Sequence, residues 1–223
     1  MKHLRTMKFF TSRLIVVGLL SGMASAALAQ NADELLNRLS QEAKSYGSIE
    51  ATYVSTMEDK VSDFDATQSG TIYIDGSKYH LNIGDYIIIS DGVTIWTYET
   101  AVNDCYVDDA EVMAEEGMDP SKLFTIWEDE FKNEWKGRAT IQGQEVTQIN
   151  LYPNGAEEKP FHTIQLYINE KELRLVRAIV KGREGTDVTY DVKTFKPRAQ
   201  VDPGRFTFNP AKFPGVNIID NRL

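Results

Sequence analysis

Apolar side chains fall at helical spacing in only two places along the chain. Leu35, Leu36, Leu39 and Ala43 recur three or four residues apart, Asp33 and Glu34 sit in a first turn, and Gly47 follows as a stop, which predicts an opening amphipathic helix. A second, short helix is predicted over residues 119–131, where Asp119 as N-cap and Pro120 at the first helical position precede Leu123, Phe124 and Trp127 on one face. Almost everything else reads as strand. The first half holds strands near residues 49–56, 70–74, 79–83, 86–90 and 93–99, and the second half near 139–141, 145–152, 161–169, 173–181 and 186–195. Asp75-Gly76, Gly84-Asp85 and Asp91-Gly92 are dipeptides that tolerate φ > 0, as tight hairpins require. Strands joined by so few residues are antiparallel, because a parallel pair needs a crossover of about a dozen residues. The pattern therefore predicts one large meandering sheet with two helices lying on it.

The first thirty residues follow a different logic. Lys2, Arg5, Lys8 and Arg13 precede an apolar run from Leu14 to Leu20, and small residues then lead to Ala27-Leu28-Ala29. This is the order of a secretory signal peptide, with residues 1–29 removed and Gln30 as the expected mature start; Met7-Lys8 would head an equally good signal. The apolar run is shorter than the roughly 20 residues that span a bilayer. Cys105 is the only cysteine and lies far from the cleavage site, so no acyl anchor is expected on the mature chain and no disulfide can staple it. Stability must come from a core, which 194 mature residues can supply as a single domain, 30–223. Losing the leader removes four of 24 cations and none of 33 acids, which takes the net charge from −9 to −13. That balance argues against nucleic acid and anionic membrane surfaces as partners, and solubility accounts for it.

Catalytic patterns are missing. His80 and His162 are the two histidines of the mature chain, each in a predicted strand and away from other ligands at metal spacing. G-x-S-x-G, H-E-x-x-H, G-x-x-x-x-G-K and C-x-x-C do not occur. The acidic stretch 108–119 lacks calcium-loop spacing, and Asp108-Asp109 and Glu157-Glu158 read as solvated charge. No enzyme activity, metal or cofactor is expected. Bulky apolar residues are abundant instead, among them Tyr73, Tyr79, Trp96, Tyr98, Phe124 and Trp127. Two short helices cannot easily cover the apolar face of so large a sheet, and the remainder suits an apolar ligand.

Particular runs of this sequence resemble a known family. Ser69-Gly70-Thr71-Ile72-Tyr73-Ile74, Tyr79-His80-Leu81 and Ser90-Asp91-Gly92-Val93-Thr94-Ile95-Trp96-Thr97-Tyr98 are similar to the LolA pattern of a glycine-led strand, an aromatic-containing strand and an S-D-G-x-x-x-W-x-Y hairpin. Phe206-Thr207-Phe208-Asn209-Pro210 and Gly215-Val216-Asn217-Ile218-Ile219-Asp220 are similar to the family's ending. The resemblance implies a mainly β fold with an α-helical lid, an unclosed antiparallel half-barrel covering an apolar cavity. It also implies a periplasmic monomer that takes triacylated lipoproteins from an inner-membrane ATP-driven releasing complex and passes them to an outer-membrane acceptor. Such a carrier answers a physical need, since at about 0.8 kcal/mol per CH₂ one long acyl chain in water costs on the order of 10 kcal/mol. A carrier or sensor of another lipidic ligand on the same fold is the alternative.

Alternation puts Thr94, Trp96 and Tyr98 on one face of their strand and Val93, Ile95 and Thr97 on the other. The expected acyl-chain residues are Ile72, Ile74, Trp96 and Tyr98 from the sheet and Leu123, Phe124 and Trp127 from the lid, with Tyr79 as the expected partner contact. One departure stands out. The family's glycine-led strand ends in a basic-Arg-Pro sequence whose arginine helps latch the lid, and here the matching positions read Asp75-Gly76-Ser77, with Lys78 beside them.

Overall fold

The computed structural model describes residues 16–112, 120–122, 124–128, 131–155 and 159–222, with side chains from residue 31 onward. Leu123, Glu157, Glu158, residues 113–119 and the first fifteen residues of the expected leader lie outside the described residues. One helix, α1 (Val16–Ser45), is followed by β1 (Ser48–Asp59), β2 (Phe64–Asp75), β3 (Lys78–Ile83), β4 (Tyr86–Ser90), β5 (Thr94–Glu99) and β6 (Asp104–Asp109). The second run comprises β7 (Phe131–Ile141), β8 (Gln144–Pro153), β9 (Phe161–Asn169), β10 (Arg174–Gly182) and β11 (Thr186–Pro197), and β12 (Asn217–Asp220) ends the chain. All twelve strands form one sheet in the order β12-β6-β5-β4-β3-β2-β1-β11-β10-β9-β8-β7. Two meanders are thus joined by a single long-range antiparallel pair, β1 with β11, which sets Ile49 opposite Pro197 and Asp59 opposite Thr186. β7 and β12 remain as separate edges, so the half-barrel is unclosed. Among the described residues no helix is long and apolar enough to cross a membrane.

Two expectations change. α1 runs through the end of the expected leader and on to Ser45, and Asp33 accepts a hydrogen bond from Asn133 Nδ2 of β7 at 2.6 Å. The second helix is two 3-10 turns, Pro120–Lys122 and Ile126–Glu128, and Phe131 already belongs to β7. Period two has won over period 3.6 there, because Phe131, Asn133 and Trp135 turn inward while Lys132, Glu134, Lys136 and Arg138 are exposed. The chain's final strand was not expected and runs parallel to β6, with Ile218 opposite Cys105. The segment 198–216 carries the chain from β11 to this edge, and a parallel pair is possible because β7 to β11 lie between the two strands in sequence.

Each face of the sheet is covered differently. α1 places Ala32, Leu35, Leu36 and Leu39 on Ile149, Leu151, Ile164, Leu166 and Ile168 of β8 and β9. On the same face a second core gathers Tyr46, Ile49, Ala51, Ile72, Ile74, Tyr79 and Ile95. The opposite face is divided. Over β4 to β6, Ile89, Tyr98 and Cys105 are covered by Phe208, Phe213 and Val216 of the C-terminal segment, in which Phe208 and Phe213 stack at 4.8 Å. That segment forms a strap from two Asx-Pro turns, where Asp202 and Asn209 accept from the backbone N–H groups of Gly204 and Ala211. Over β8 to β11 the outer face is polar and laced by ion pairs, including a bidentate Arg177–Asp191 bridge at 2.6 and 2.9 Å.

Asp187, only 5% exposed, carries the most buried charge of that network. Burial pushes its carboxyl up, but hydrogen bonds from Lys181 at 2.8 Å and Lys60 at 2.5 Å outweigh this and hold it below the ordinary value. A folded-state pKa below the unfolded one gives stability that is present above the unfolded value and lost as the pH falls through the folded one. Asp187→Asn should therefore destabilise the protein by about 1–3 kcal/mol near neutrality, less than for a fully buried pair because Lys60 is exposed. Urea midpoints should converge between wild type and variant as the pH drops below about 4. A gap that persists in acid would sink this account.

Candidate functional site

The helix-covered face is the candidate ligand surface, and it is closed from above by the segment 120–128. Trp127 enters the core under α1, where its Nε1–H donates to the Leu36 carbonyl at 3.1 Å and to Ser40 Oγ at 2.7 Å. Lys44 adds an ion pair to Glu128 at 2.6 Å and holds that carboxyl below its usual range. At the other end Phe124 packs edge-on against Phe195 of β11 at 5.3 Å, within the core of Ile72, Ile74 and Ile95. The lid thus spans the two cores of this face, latched to α1 by a tryptophan and a lysine. The position where the family pattern carries its arginine is a tight β2–β3 turn here, with Gly76 at φ 62 and Asp75 paired across to Lys78.

Half-buried apolar side chains border the two cores and form an apolar strip on this face: Tyr53, Leu81 and Ile88 pack against the first meander's core and Val180 and Tyr190 against the second's. Tyr53 and Tyr190 meet edge-on at 6.0 Å across the β1–β11 seam. Gly70 makes this possible, since a Cβ there would lie 2.3 Å from the Tyr53 ring. Gly70, which lies within β2 and not at its start, is therefore a seat for an aromatic ring from the neighbouring strand. Burial raises both phenols above their ordinary range, so they are neutral and the strip carries no charge of its own.

Ile72, Ile74, Phe124 and Trp127 come together on this face as expected, all at most 7% exposed. Trp96 and Tyr98 do not, which corrects the choice of face. They stand on the other side under the strap, where Tyr98 packs 4.4 Å from Phe213 and donates to Asn103 Oδ1 at 2.9 Å. Ile95 takes the place beside Phe124. Tyr79, the expected partner contact, pairs opposite Ile74 and is 4% exposed, within the core of Ile72, Ile74 and Ile95. The Tyr53–Tyr190 pair was missed, although a glycine within a strand was its signal.

The histidines and the cysteine are accounted for by local structure. His80 Nδ1 donates to the Arg205 carbonyl at 2.9 Å, and His162 pairs with Thr163 at 2.8 Å. Cys105 is fully buried, which pushes its thiol up to about 11. Among the described residues no group of three or more His, Cys, Asp or Glu is placed to hold a metal.

Residues 45–209 match the family model of the outer membrane lipoprotein carrier protein LolA. The chain belongs to the LolA family. No curated protein sequence matches it. Among solved structures, an uncharacterised conserved protein from Thermus thermophilus is similar with a TM-score of 0.54 at 12% identity, over 86% of this chain and 99% of that one. A DUF1329 family protein from Desulfovibrio piger gives a TM-score of 0.50 at 11% identity, over 83% and 99%. At such identities the shared property is the fold. The unclosed half-barrel expected from the sequence is the fold this LolA-family chain adopts.

Two substitutions test the geometry of this face. Gly70→Ala should destabilise the LolA-family sheet by about 1–3 kcal/mol, and Tyr53→Ala on the same background should recover part of the loss. Strict additivity in the double-mutant cycle would contradict the ring-over-glycine contact. Trp127→Phe keeps an aromatic plug but removes the donor to Leu36 and Ser40, at about 1 kcal/mol per hydrogen bond. Amide exchange in residues 120–128 should accelerate while β9 stays protected, and unchanged lid protection would show that the tryptophan does not latch it.

Proposed function

We propose that this LolA-family protein is a periplasmic carrier that binds the acyl chains of lipoproteins on the helix-covered face and shuttles them from the inner to the outer membrane. Its donor would be an inner-membrane ATP-driven releasing complex and its recipient an outer-membrane acceptor, with residues 1–29 removed on export. The observation that carries this reading is a set of uncharged, half-buried side chains, Tyr53, Leu81, Ile88, Val180 and Tyr190, on the face whose lid is fixed by side chains and not by strand pairing. An acyl chain entering the strip would displace Phe124 and Trp127 from their seats, so part of the hydrophobic gain of binding offsets the loss of lid contacts. A carrier built this way holds its cargo less tightly than a preformed pocket would, which hand-over to an acceptor requires.

A second reading is favoured by one feature, the Asp75-Gly76-Ser77 turn in place of the latch arginine. With the lid fastened to α1 instead, the cargo would be a different lipidic molecule carried on the same scaffold.

Mass spectrometry of the protein purified from periplasm without detergent distinguishes these readings. Co-purifying triacylated protein is the expected result. Free lipid or glycolipid alone would transfer the assignment to the second reading, and the absence of any apolar ligand would sink both in favour of a permanently filled core.

A further inference from the structure

On the outer face of the sheet, away from the apolar strip, the strap and strands β3 and β4 enclose a cavity of about 130 Å³, well above what one water needs. His80 and Ile89 line it from the sheet, and Asp202, Arg205, Thr207 and Lys212 line it from the two Asx-Pro turns. The guanidinium of Arg205 lies 4.1 Å over the centre of the Tyr73 ring, which fixes it in one orientation. Its Nε is fully buried and has no acceptor among the described residues, and neither Arg205 nor Lys212 is in an ion pair there. A buried cationic N–H without an acceptor is unfavourable, and nearly every other buried polar group in this structure is satisfied.

The surroundings select the sign and shape of what would satisfy it. The Asp202 carboxylate already accepts from the Gly204 N–H at 3.0 Å and offsets one of the two cations. His80 is half-buried, its Nδ1–H is committed to the Arg205 carbonyl, and burial together with the two cations favours its neutral form. The cavity therefore keeps one net positive charge within a chain of net charge −9. Its lining offers three different donors, the Arg205 guanidinium, the Lys212 ammonium and the Thr207 hydroxyl. A tetrahedral oxyanion presents acceptors on all sides, whereas a carboxylate presents them along one edge.

We propose that this cavity is a binding site for a phosphate group, held by Arg205 and Lys212 against the sheet at His80. The same chemistry is offered by free phosphate and by a phospholipid headgroup. The site lies on the opposite face from the proposed acyl surface and stands independently of that function.

The test is NMR of the His80 imidazole, with His162 as an internal control, during titration with inorganic phosphate at constant ionic strength. A saturable shift at His80 alone, in the millimolar range or tighter, is expected, and the His80 pKa should rise when phosphate binds. Lys212→Gln, a change at an exposed side chain, should weaken this response about tenfold. Glycerol phosphate matching inorganic phosphate would assign the site to soluble phosphates. A stronger response to phosphatidylglycerol vesicles than to phosphatidylcholine vesicles would assign it to a lipid headgroup. No response to any of these probes, an equal shift at His162, or a response unchanged in Lys212→Gln would overturn the proposal. None of those outcomes bears on whether acyl ligands co-purify.

Discussion

The pairing of β1 with β11 is the constraint on which everything else depends. Each meander builds itself from short hairpins, but neither half buries its apolar face alone: α1 covers β8 and β9, while its C-terminal end and the lid serve β1 to β5. Joining residues 48–59 to residues 186–197 turns two small sheets into one surface broad enough to need a helix and a lid together. It also places Tyr53 beside Tyr190, so half-buried aromatic rings lie at the seam between the halves.

The two sides of the sheet have divided the work. The outer side is polar and ion-paired over β8 to β11 and carries the aromatic strap over β4 to β6, with the cavity at His80 beside it. The inner side is covered by elements that are not part of the sheet. A lid attached through Trp127, Phe124 and Lys44 can separate without breaking any strand pairing, whereas removing the strap would also strip β12 from β6. Opening is therefore confined to one face.

Much of this was legible in the sequence because hairpin chemistry is local. Asp75-Gly76, Gly84-Asp85 and Asp91-Gly92 mark three turns, and the strands between them follow within a few residues. Alternation, however, separates two faces without saying which lies under the helix, so the sequence alone groups Trp96 and Tyr98 with Ile72 and Ile74, from which the sheet divides them. The β1–β11 register, the parallel β12 and the Tyr53–Tyr190 contact depend on partners more than a hundred residues apart, which periodicity does not encode. The lid failed for a different reason. Pro120 does open a 3-10 turn, but the segment is too short to sustain an α-helix before the strand pattern of Phe131 takes over.

The edges of this open sheet bear on how copies of the protein behave toward one another. An unclosed sheet of twelve strands offers two rows of backbone hydrogen-bonding groups to any extended chain that drifts past. At one end the row is only four residues long. At the other, β7 presents Lys132, Glu134, Lys136 and Arg138 in alternation and is bent at Gly137, where φ is 117 and the register slips. A crowded compartment full of such molecules is thereby protected from edge-to-edge polymerisation, a hazard that a closed barrel never meets.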